Sequence, residues 1–340
     1  MSDNWDKKHL IDIEPLSRED IEELFELTDI LLPYSGIDKS IPASERRTTD
    51  ILKGKIEKQW YGEMSTRTYG SSETAIERLG GSALRFDEKL SSLKKKESIK
   101  HTALVLSDQA DIIVDRHKDP RHIYELAKYS HVPVINAGNG SWQHPTQTLL
   151  DLYTMDKECG IDGKRVVLLG DLRYGRTTHS LIRGLGKFSN VEVHGISPPG
   201  LEMPEEHIKG VDYYPHTIGM RYLKQALEEI YPHYVYATRP QLERIPWYRK
   251  FLRENSYRYQ ISKDTLENLP EVRIMHPLPI ATGTKHGPEI ATELDGDPRA
   301  IYFKQAAYGI PTRMAAICIL LGYEDQVKSL SISAGSRTKR

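Results

Sequence analysis

The stretch VPVINAGNGSWQHPTQTLLDLYTM, residues 132–155, decides the fold of this chain. Its apolar start, Val132–Ile135, predicts a buried strand, and the spacing of its leucines predicts a helix over about Pro145–Glu158. Because a proline follows His144, helix is disfavoured at His144 itself and begins directly after it. The stretch therefore predicts a strand, a loop and a helix, with His144 and Gln147 where the loop enters the helix and an anion can bind.

Further strands are predicted on both sides of this stretch, at residues 112–114, 165–169, 191–196, 234–239 and 272–276. Helical segments alternate with them, and this alternation is typical of parallel sheets covered by helices. In such sheets, ligands bind beyond the carboxyl ends of the strands. The predicted fold class is therefore α/β.

The length predicts two domains, because 340 residues exceed what a single hydrophobic core usually supports. We expect one domain over residues 1–160 and a second over residues 161–304. A C-terminal helix, over about 305–325 or more narrowly from Pro311 to Leu321, is expected to pack back on the first domain. The polar tail, residues 330–340, is predicted to be disordered.

The composition argues against several classes of partner. The formal net charge is −1, from 47 Lys and Arg against 48 Asp and Glu, whereas general binding to nucleic acid or a membrane surface needs a strong basic excess. The longest apolar run, residues 315–321, is too short to cross a bilayer, and the N-terminus has no apolar leader. Cys159 and Cys318 have neither disulfide nor zinc spacing. We expect a cytoplasmic protein without nucleic-acid or membrane partners and without a metal site.

Two polar segments in the first half are candidates for anion binding. Ser65–Thr68 precede a helical stripe that ends at Gly80, so their hydroxyls, the Arg67 guanidinium and the helix N-terminus could together cradle a phosphate. Plain helix capping by the same hydroxyls is the alternative. The lysine run Lys94–Lys96 is either a solvated loop or a mobile basic loop that closes over an anionic ligand.

Three arginines follow predicted strands and therefore lie at ligand-binding edges. Arg116 is predicted at the same edge as His144. Arg176 and Arg239 favour a ligand that carries carboxylates, because each guanidinium can bind one carboxylate bidentately. An ion pair with a neighbouring acid such as Asp171 is the alternative for either arginine.

Two further turns bear on the ligand. The turn HPLP, residues 276–279, contains two prolines and is predicted to be extended and rigid, with carbonyl groups that can accept from a ligand amine or amide. The turn GDLRYGR, residues 170–176, lacks the GxGxxG spacing, so a dinucleotide site fits poorly.

Several of these motifs together resemble the aspartate/ornithine carbamoyltransferase family, and HPLP in place of HCLP resembles its aspartate branch. The resemblance runs in order from about residue 60 to 325, through STRT (65–68), HPTQTLLDLYTM (144–155), GDLRYGRTTHSL (170–181), YATRPQLER (236–244), MHPLP (275–279) and YFKQAAYGI (302–310). It implies the carbamoyltransferase fold, with two domains that each contain a parallel sheet flanked by helices.

The resemblance also implies a reaction and a set of site residues. The reaction is carbamoyl transfer from carbamoyl phosphate to L-aspartate, giving N-carbamoyl-L-aspartate in pyrimidine biosynthesis, with no cofactor. The positions that match the carbamoyl phosphate site are Ser65, Thr66, Arg67, Thr68, Arg116, His144, Gln147, Pro277 and Leu278. Those with catalytic roles are Arg67, Thr68, Arg116 and His144. The positions that match the amino-acid site are Lys95, Arg176, Arg239 and Gln241.

The resemblance has consequences for assembly as well. Lys95 matches a lysine that a neighbouring subunit contributes, which implies a homotrimer with shared active sites. A regulatory chain as an additional partner is left open.

The sequence departs from the family pattern near the site. Tyr69 stands in place of an arginine, Ser72 in place of a phenylalanine and Ile280 in place of an arginine, and an insertion precedes Glu289. Two alternatives therefore stay open. One is a carbamoyltransferase with a different amino-acid acceptor, and the other is a non-catalytic paralogue of the same fold.

Overall fold

A computed structural model of the protein describes residues 5–63, 65–88, 97–216, 223–241, 244, 259–280, 282 and 288–337. Lys95 and most of the insertion before Glu289 lie outside the described residues.

Strands and helices alternate along the chain. The strands are β1 (Ile56–Tyr61), β2 (Ser82–Phe86), β3 (Ile112–His117), β4 (Val134–Asn139), β5 (Arg165–Leu169), β6 (Glu192–Ile196), β7 (Asp212–His216), β8 (Tyr234–Ala237) and β9 (Arg273–Met275). The helices are α1 (Arg18–Leu31), α2 (Arg67–Arg78), α3 (Ile99–Gln109), α4 (His122–Tyr129), α5 (Pro145–Glu158), α6 (Arg176–Leu185), α7 (Glu205–Ile208), α8 (Leu223–Ile230), α9 (Tyr302–Leu321) and α10 (Glu324–Arg337).

The first sheet belongs to a compact unit that comprises Met1–Tyr153 and Ala307–Arg340. Its four strands run parallel in the order β2-β1-β3-β4. Trp60 of β1, Ile113 of β3 and Leu106 of α3 are buried in one hydrophobic cluster, which fixes helix to sheet. Because the strands are parallel, the loops after β1, β3 and β4 leave the sheet at one edge.

The second sheet belongs to a unit that comprises Thr154–Ala306. Its five strands are also all parallel, in the order β7-β6-β5-β8-β9. Val167, Val235 and Ile274 come from three adjacent strands and share one buried cluster. The loops after β5, β8 and β9 therefore start at one edge of this second sheet.

The predicted α/β fold class is confirmed, and so is most of the strand and helix pattern. Strands β3, β4, β5, β6, β8 and β9 overlap the predicted strands, and α5 has the predicted bounds. The sequence patterns do not predict β1, β2 or β7. Strand β1 buries the polar residues Glu57 and Gln59, so it lacks an apolar run, whereas β2 and β7 are edge strands with exposed residues.

The C-terminal helix overlaps the expected range of about 305–325, whereas the narrower start at Pro311 is wrong. Helix α9 begins at Tyr302, and Pro311 lies inside it. A proline inside a helix removes one backbone hydrogen bond. All residues from 311 to 320 are buried, so the packing of this segment outweighs that loss.

The predicted disorder of the tail is wrong for residues 330–337, which belong to α10. Glu324 and Asp325 lie in the first turn of α10, where acidic side chains favour a helix. Val327 is fully buried, and Lys328 forms an ion pair with Glu23 of α1. These contacts anchor the helix, so its later turns extend a nucleus that is already formed.

Candidate active site

The loop between β4 and α5 places His144 at the carboxyl edge of the first sheet. The side-chain oxygen of Asn139 accepts from the backbone N–H of Gln143 at 3.0 Å, which closes the loop. Gly140 has a φ of 57°, and a Cβ there would lie 2.7 Å from the backbone oxygen of Lys118, so only glycine fits. The chain then enters α5 directly after His144.

The His144 ring is held between two threonine hydroxyls. Its Nε2 lies 3.4 Å from Oγ1 of Thr68, and its Nδ1 lies 3.3 Å from Oγ1 of Thr146. The His144 side chain is only 3% exposed, so this geometry is set inside the protein. The structure therefore brings together His144 and Thr68, which are 76 residues apart in sequence.

The segment before α2 provides the phosphate-binding candidates. Thr66 is the N-cap residue of α2, and its side chain makes no capping hydrogen bond. The alternative that the Thr66 hydroxyl only caps the helix is therefore not supported. Arg67, the first residue of α2, is exposed, whereas Thr68 is buried. The first N–H groups of a helix have no intrahelical partner, so the hydroxyls of this segment stand at an anion-attracting terminus.

Arg116 is positioned by the end of β3. Its Nη1 donates to the backbone oxygen of Ala137 at 3.2 Å, and its Nε lies 3.3 Å from a carboxylate oxygen of Glu63. The guanidinium is thereby fixed between β3 and β4 at the edge where His144 lies.

Gln147 has a defined amide orientation. Its Nε2 donates to Oδ1 of Asp151, one turn later on α5, at 2.8 Å. The amide oxygen is then the end of Gln147 that can accept from a ligand. Such an acceptor suits the NH₂ of a carbamoyl group.

The second unit carries the predicted carboxylate binders at the edge of its own sheet. Gly170 directly follows β5 with a φ of 116°, and a Cβ there would collide with the backbone oxygen of Thr238, so the chain segments after β5 and β8 approach closely at this edge. Arg176 is the first residue of α6, and Arg239 follows β8. Both side chains are half-buried.

The loops of this second edge are tied together by Asp171. Its two carboxylate oxygens accept from the backbone N–H groups of Tyr174 and Gln241, each at 3.0 Å. The side chain of Gln241 also donates to the backbone oxygen of Tyr174, at 2.6 Å. Gln241 is thus fixed beside the loop that leads to Arg176.

The HPLP turn differs from its predicted extended form. Leu278 has a φ of 53°, in the left-handed region that non-glycine residues rarely adopt, and its peptide bond to Pro279 is cis. The ring Nδ1 of His276 accepts from the backbone N–H of Leu278 at 2.8 Å. The side chain of Gln305 in turn accepts from the backbone N–H of His276 at 2.9 Å. These contacts hold Pro277 and Leu278 in one backbone conformation.

The sequence patterns miss a buried polar cluster behind His144. Glu57 of β1 is fully buried and accepts from Ser72 at 2.9 Å and from Gln59 at 2.6 Å. Arg313 of α9 is also buried and donates to Thr146 at 3.3 Å. Polar residues within a strand and a helix carry no periodic signal, so only the fold reveals this cluster.

A small cavity adjoins the same cluster. Its volume is about 10 Å³, at the lower limit for one water molecule, and its walls include Thr68, Ser72, Thr146 and Arg313. Ser72 therefore joins the polar cluster through its hydroxyl, which donates to Glu57.

Burial shifts the pKa values of Glu57 and Arg313, the two ionisable members of the cluster. Burial raises the pKa of Glu57 from its usual 4.5 to about 7, although hydrogen bonds from Gln59 and Ser72 and the nearby Arg313 charge oppose this rise. Burial lowers the pKa of Arg313 to about 10, so Arg313 is a cation at neutral pH.

The raised pKa of Glu57 predicts a pH-dependent stability. A carboxyl group whose pKa is higher in the folded state stabilises the fold below its unfolded pKa, and this stability is lost as the pH rises from 4.5 to 7. We expect Glu57→Gln, which cannot ionise, to gain stability over the wild type by about 3 kcal/mol across that range. Urea unfolding at pH 5 and pH 8 measures this; a difference that does not grow with pH would contradict it.

The described residues contain neither a group of side chains that could hold a metal ion nor a helix that could span a membrane. In these ranges, no three His, Cys, Asp or Glu side chains are grouped so that they could hold a metal ion. None of the helices there has the length and apolar character that a membrane span needs.

Together, the fold and the site define an α/β protein with candidate anion-binding groups at the carboxyl edges of two parallel sheets. Family models match both parts of it. The model of the carbamoyl-P binding domain of aspartate/ornithine carbamoyltransferases matches residues 8–157, and the model of the Asp/Orn binding domain matches residues 162–320. The chain therefore belongs to the aspartate/ornithine carbamoyltransferase family.

Relatives and solved structures are similar to the chain over nearly its whole length. The aspartate carbamoyltransferase catalytic subunit of Methanothrix thermoacetophila is 38% identical over 325 residues, which cover 93% of this chain and 98% of the relative. That of Methanocaldococcus jannaschii is 40% identical over 314 residues, covering 91% and 96%. The structure of the M. jannaschii catalytic subunit gives a TM-score of 0.78 at 38% identity and covers 93% of this chain and 98% of that chain.

A ligand-bound structure is also similar. Aspartate transcarbamoylase from Trypanosoma cruzi in complex with N-(phosphonacetyl)-L-aspartic acid gives a TM-score of 0.76 at 32% identity and covers 92% of this chain and 94% of that chain.

Proposed function

We propose that the protein transfers the carbamoyl group of carbamoyl phosphate to the amino group of L-aspartate, giving N-carbamoyl-L-aspartate and phosphate. The observation that carries this proposal is the similarity, at 38–40% identity over more than nine-tenths of the chain, to relatives named aspartate carbamoyltransferase catalytic subunit. The retained residue types at the edges of both sheets support it.

The first unit is proposed to bind carbamoyl phosphate. Its anion-binding groups are the hydroxyls of Ser65, Thr66 and Thr68, the N-terminus of α2 and the exposed guanidinium of Arg67. Arginine suits this role because it binds phosphate oxygens through two parallel hydrogen bonds. It also offsets the charge on the phosphate as it leaves.

The carbamoyl end is proposed to lie against Arg116, His144 and Gln147. When the amine attacks the carbonyl carbon, negative charge develops on the carbonyl oxygen, which donors from Thr68, Arg116 and His144 can stabilise. Removal of one such donor typically raises the barrier by about 2.7–4 kcal/mol. The Gln147 amide oxygen and the backbone oxygen of Pro277 or Leu278 are proposed to accept from the carbamoyl NH₂.

The second unit is proposed to bind the amino acid. Arg176 and Arg239 each offer a fork that matches one carboxylate, and Gln241 is fixed beside them by Asp171. Two carboxylate binders suit aspartate, which carries two carboxylates. Lys95 is proposed to add a further cation from a neighbouring subunit.

The same proposal extends to the oligomeric state, the partner chain and the pathway of the protein. A lysine contributed by a neighbour implies a homotrimer with shared active sites. A separate regulatory chain is a further proposed partner, since the relatives are named catalytic subunits. The product is proposed to enter pyrimidine biosynthesis in the cytoplasm, and the chemistry needs no cofactor.

One observation favours a different acceptor as the second candidate. Ile280 stands where the family has an arginine, and it packs against the hydrophobic cluster of the second unit. The loss of a cation after Pro279 could change which amino acid is accepted.

A substrate panel tests the proposed function. Purified protein is incubated with carbamoyl phosphate and one amino acid at a time, and phosphate release is followed. We expect turnover with L-aspartate and none above the rate of spontaneous hydrolysis with ornithine or other amino acids. Turnover with another amine would select the alternative acceptor. No turnover with any amine, while carbamoyl phosphate still binds, would favour the non-catalytic paralogue.

A further inference from the structure

The hydroxyl of Thr146 stands between a catalytic histidine and a buried cation. Its Oγ1 lies 3.3 Å from Nδ1 of His144 and 3.3 Å from Nη2 of Arg313. Thr146 is 3% exposed, and within the described part of the chain these are its two side-chain hydrogen-bond contacts. The three side chains therefore form one hydrogen-bonded relay, from Arg313 through Thr146 to His144.

The donor rules fix the direction of this relay. A guanidinium has five N–H donors and no acceptor, so the oxygen of Thr146 accepts from Arg313. The hydroxyl proton of Thr146 is then available for one acceptor, and Nδ1 of His144 is the acceptor within reach. A neutral imidazole that accepts at Nδ1 carries its proton on Nε2.

The other neutral tautomer of His144, with its proton on Nδ1, is unfavourable beside Thr146 and Arg313. A proton on Nδ1 would aim two donors at the Thr146 oxygen and leave the hydroxyl proton without an acceptor among the described residues. A buried hydrogen-bonding group without a partner costs about 1–3 kcal/mol. The relay thus favours the tautomer with the proton on Nε2 by roughly that amount.

The side chain of Arg313, where the relay starts, is held in place by a second hydrogen bond. Its Nη1 donates to the backbone oxygen of Gly309, one turn earlier on α9, at 2.8 Å. Arg313 is 5% exposed, and the charges of Glu57 and Asp151 act on its guanidinium from β1 and α5.

We propose that Arg313 and Thr146 are positioning residues for carbamoyl transfer, which hold His144 as the neutral tautomer with its proton on Nε2. This inference rests on the proposed function, because it assigns a purpose to the Nε2 proton. That proton points to the Thr68 side of the ring, where Nε2 and Thr68 Oγ1 are 3.4 Å apart. There, Nε2–H donates to the carbonyl oxygen of the carbamoyl group as negative charge develops.

The experiment combines kinetics with a direct observation of the ring. Protein labelled with ¹⁵N in its histidine rings is studied by solid-state NMR without substrate, and the His144 signals are assigned by their loss in His144→Asn. We expect a protonated Nε2 and an unprotonated Nδ1 in the wild type. In Thr146→Val, which removes the hydroxyl and keeps the shape, we expect a mixture of tautomers.

Loss of the Thr146 hydroxyl should lower kcat rather than change KM. Loss of the group that orients a metal-bound imidazole typically costs about 10- to 100-fold in activity, and we expect the same scale for the hydroxyl that orients the His144 ring. We therefore expect that loss of kcat in Thr146→Val, with little change in the KM for carbamoyl phosphate. Thr146→Ser restores the hydroxyl and should restore both kcat and the Nε2 tautomer.

The same helix offers a matched control. Thr148 is fully buried, and its hydroxyl has no hydrogen-bond partner among the described residues. Thr148→Val therefore makes the same chemical change two residues away without breaking the relay. We expect wild-type kcat and a wild-type His144 spectrum in this variant.

Arg313→Gln tests the first step of the relay. If Arg313 acts through Thr146, adding Arg313→Gln to Thr146→Val should lower kcat little further, because the two losses are coupled. Additive losses would overturn the relay. So would a wild-type tautomer or a wild-type kcat in Thr146→Val. Since the spectrum needs no substrate, a wild type with the Nε2 tautomer but no carbamoyl transfer would reject the proposed function alone.

Discussion

Arg67→Ala is expected to lower kcat/KM for carbamoyl phosphate by about 10²- to 10³-fold, with the thermal unfolding midpoint close to that of the wild type. Arg67 is the one guanidinium in the proposed phosphate cradle, and loss of a charge-stabilising donor costs up to about 4 kcal/mol of barrier. The fold should tolerate the change, because Arg67 is exposed at the first residue of α2. A cation at a helix N-terminus is also mildly unfavourable, so its removal does not weaken the helix.

A second arginine of the same unit provides the control. The side chain of Arg121 is 89% exposed and pairs with Asp119 at the surface. Arg121→Ala removes the same side chain away from the proposed cradle and should leave both kcat/KM and the unfolding midpoint unchanged. Near-wild-type activity in Arg67→Ala would remove the basis for placing phosphate at residues 65–68.

The sequence predicts the fold where burial and hydrophobicity agree. Strands β5 and β8 are apolar runs buried in a parallel sheet, and helix α5 begins at a proline, so each is predicted with nearly the correct bounds. Strand β1 is missed although it lies inside the sheet, because Glu57 and Gln59 are buried there through hydrogen bonds. Helix α9 is predicted too short because Pro311 is normally a helix boundary and packing overrides it here.

The site is predictable only where it carries a local motif. His144 and Gln147 lie in one loop and helix start, and Arg116 ends a strand, so sequence reasoning can place them at one edge. Arg313 has no such signal, because it reaches Thr146 from 167 residues away and lies in a segment of α9, residues 311–320, in which every residue is buried. The relay to His144 depends on the distances between hydrogen-bond donors and acceptors, and these distances follow from the folded structure and not from the sequence.

The variant Arg67→Ala also enables the second prediction, which concerns the proposed sharing of active sites. If each site takes Arg67 from one subunit and Lys95 from its neighbour, then trimers of Arg67→Ala alone and trimers of Lys95→Ala alone each lack an intact site. In a mixed trimer, one of the three interfaces joins an intact Arg67 to an intact Lys95. Random reassembly of equal amounts makes about three-quarters of the trimers mixed, so about one-quarter of the wild-type activity should return.

This recovery separates shared sites from sites made within one chain. The two variants are mixed, dissociated with mild denaturant and reassembled, and phosphate release is compared with that of each variant treated alone. Simple mixing without dissociation is the control and should give no recovery, because recovery requires subunits of the two variants to enter one assembly. If reassembled mixtures stay as inactive as their parents while sedimentation shows trimers, Lys95 does not complete the site of a neighbour. If sedimentation shows monomers, the homotrimer itself is wrong, and the cation that Lys95 was proposed to supply has to come from within the same chain.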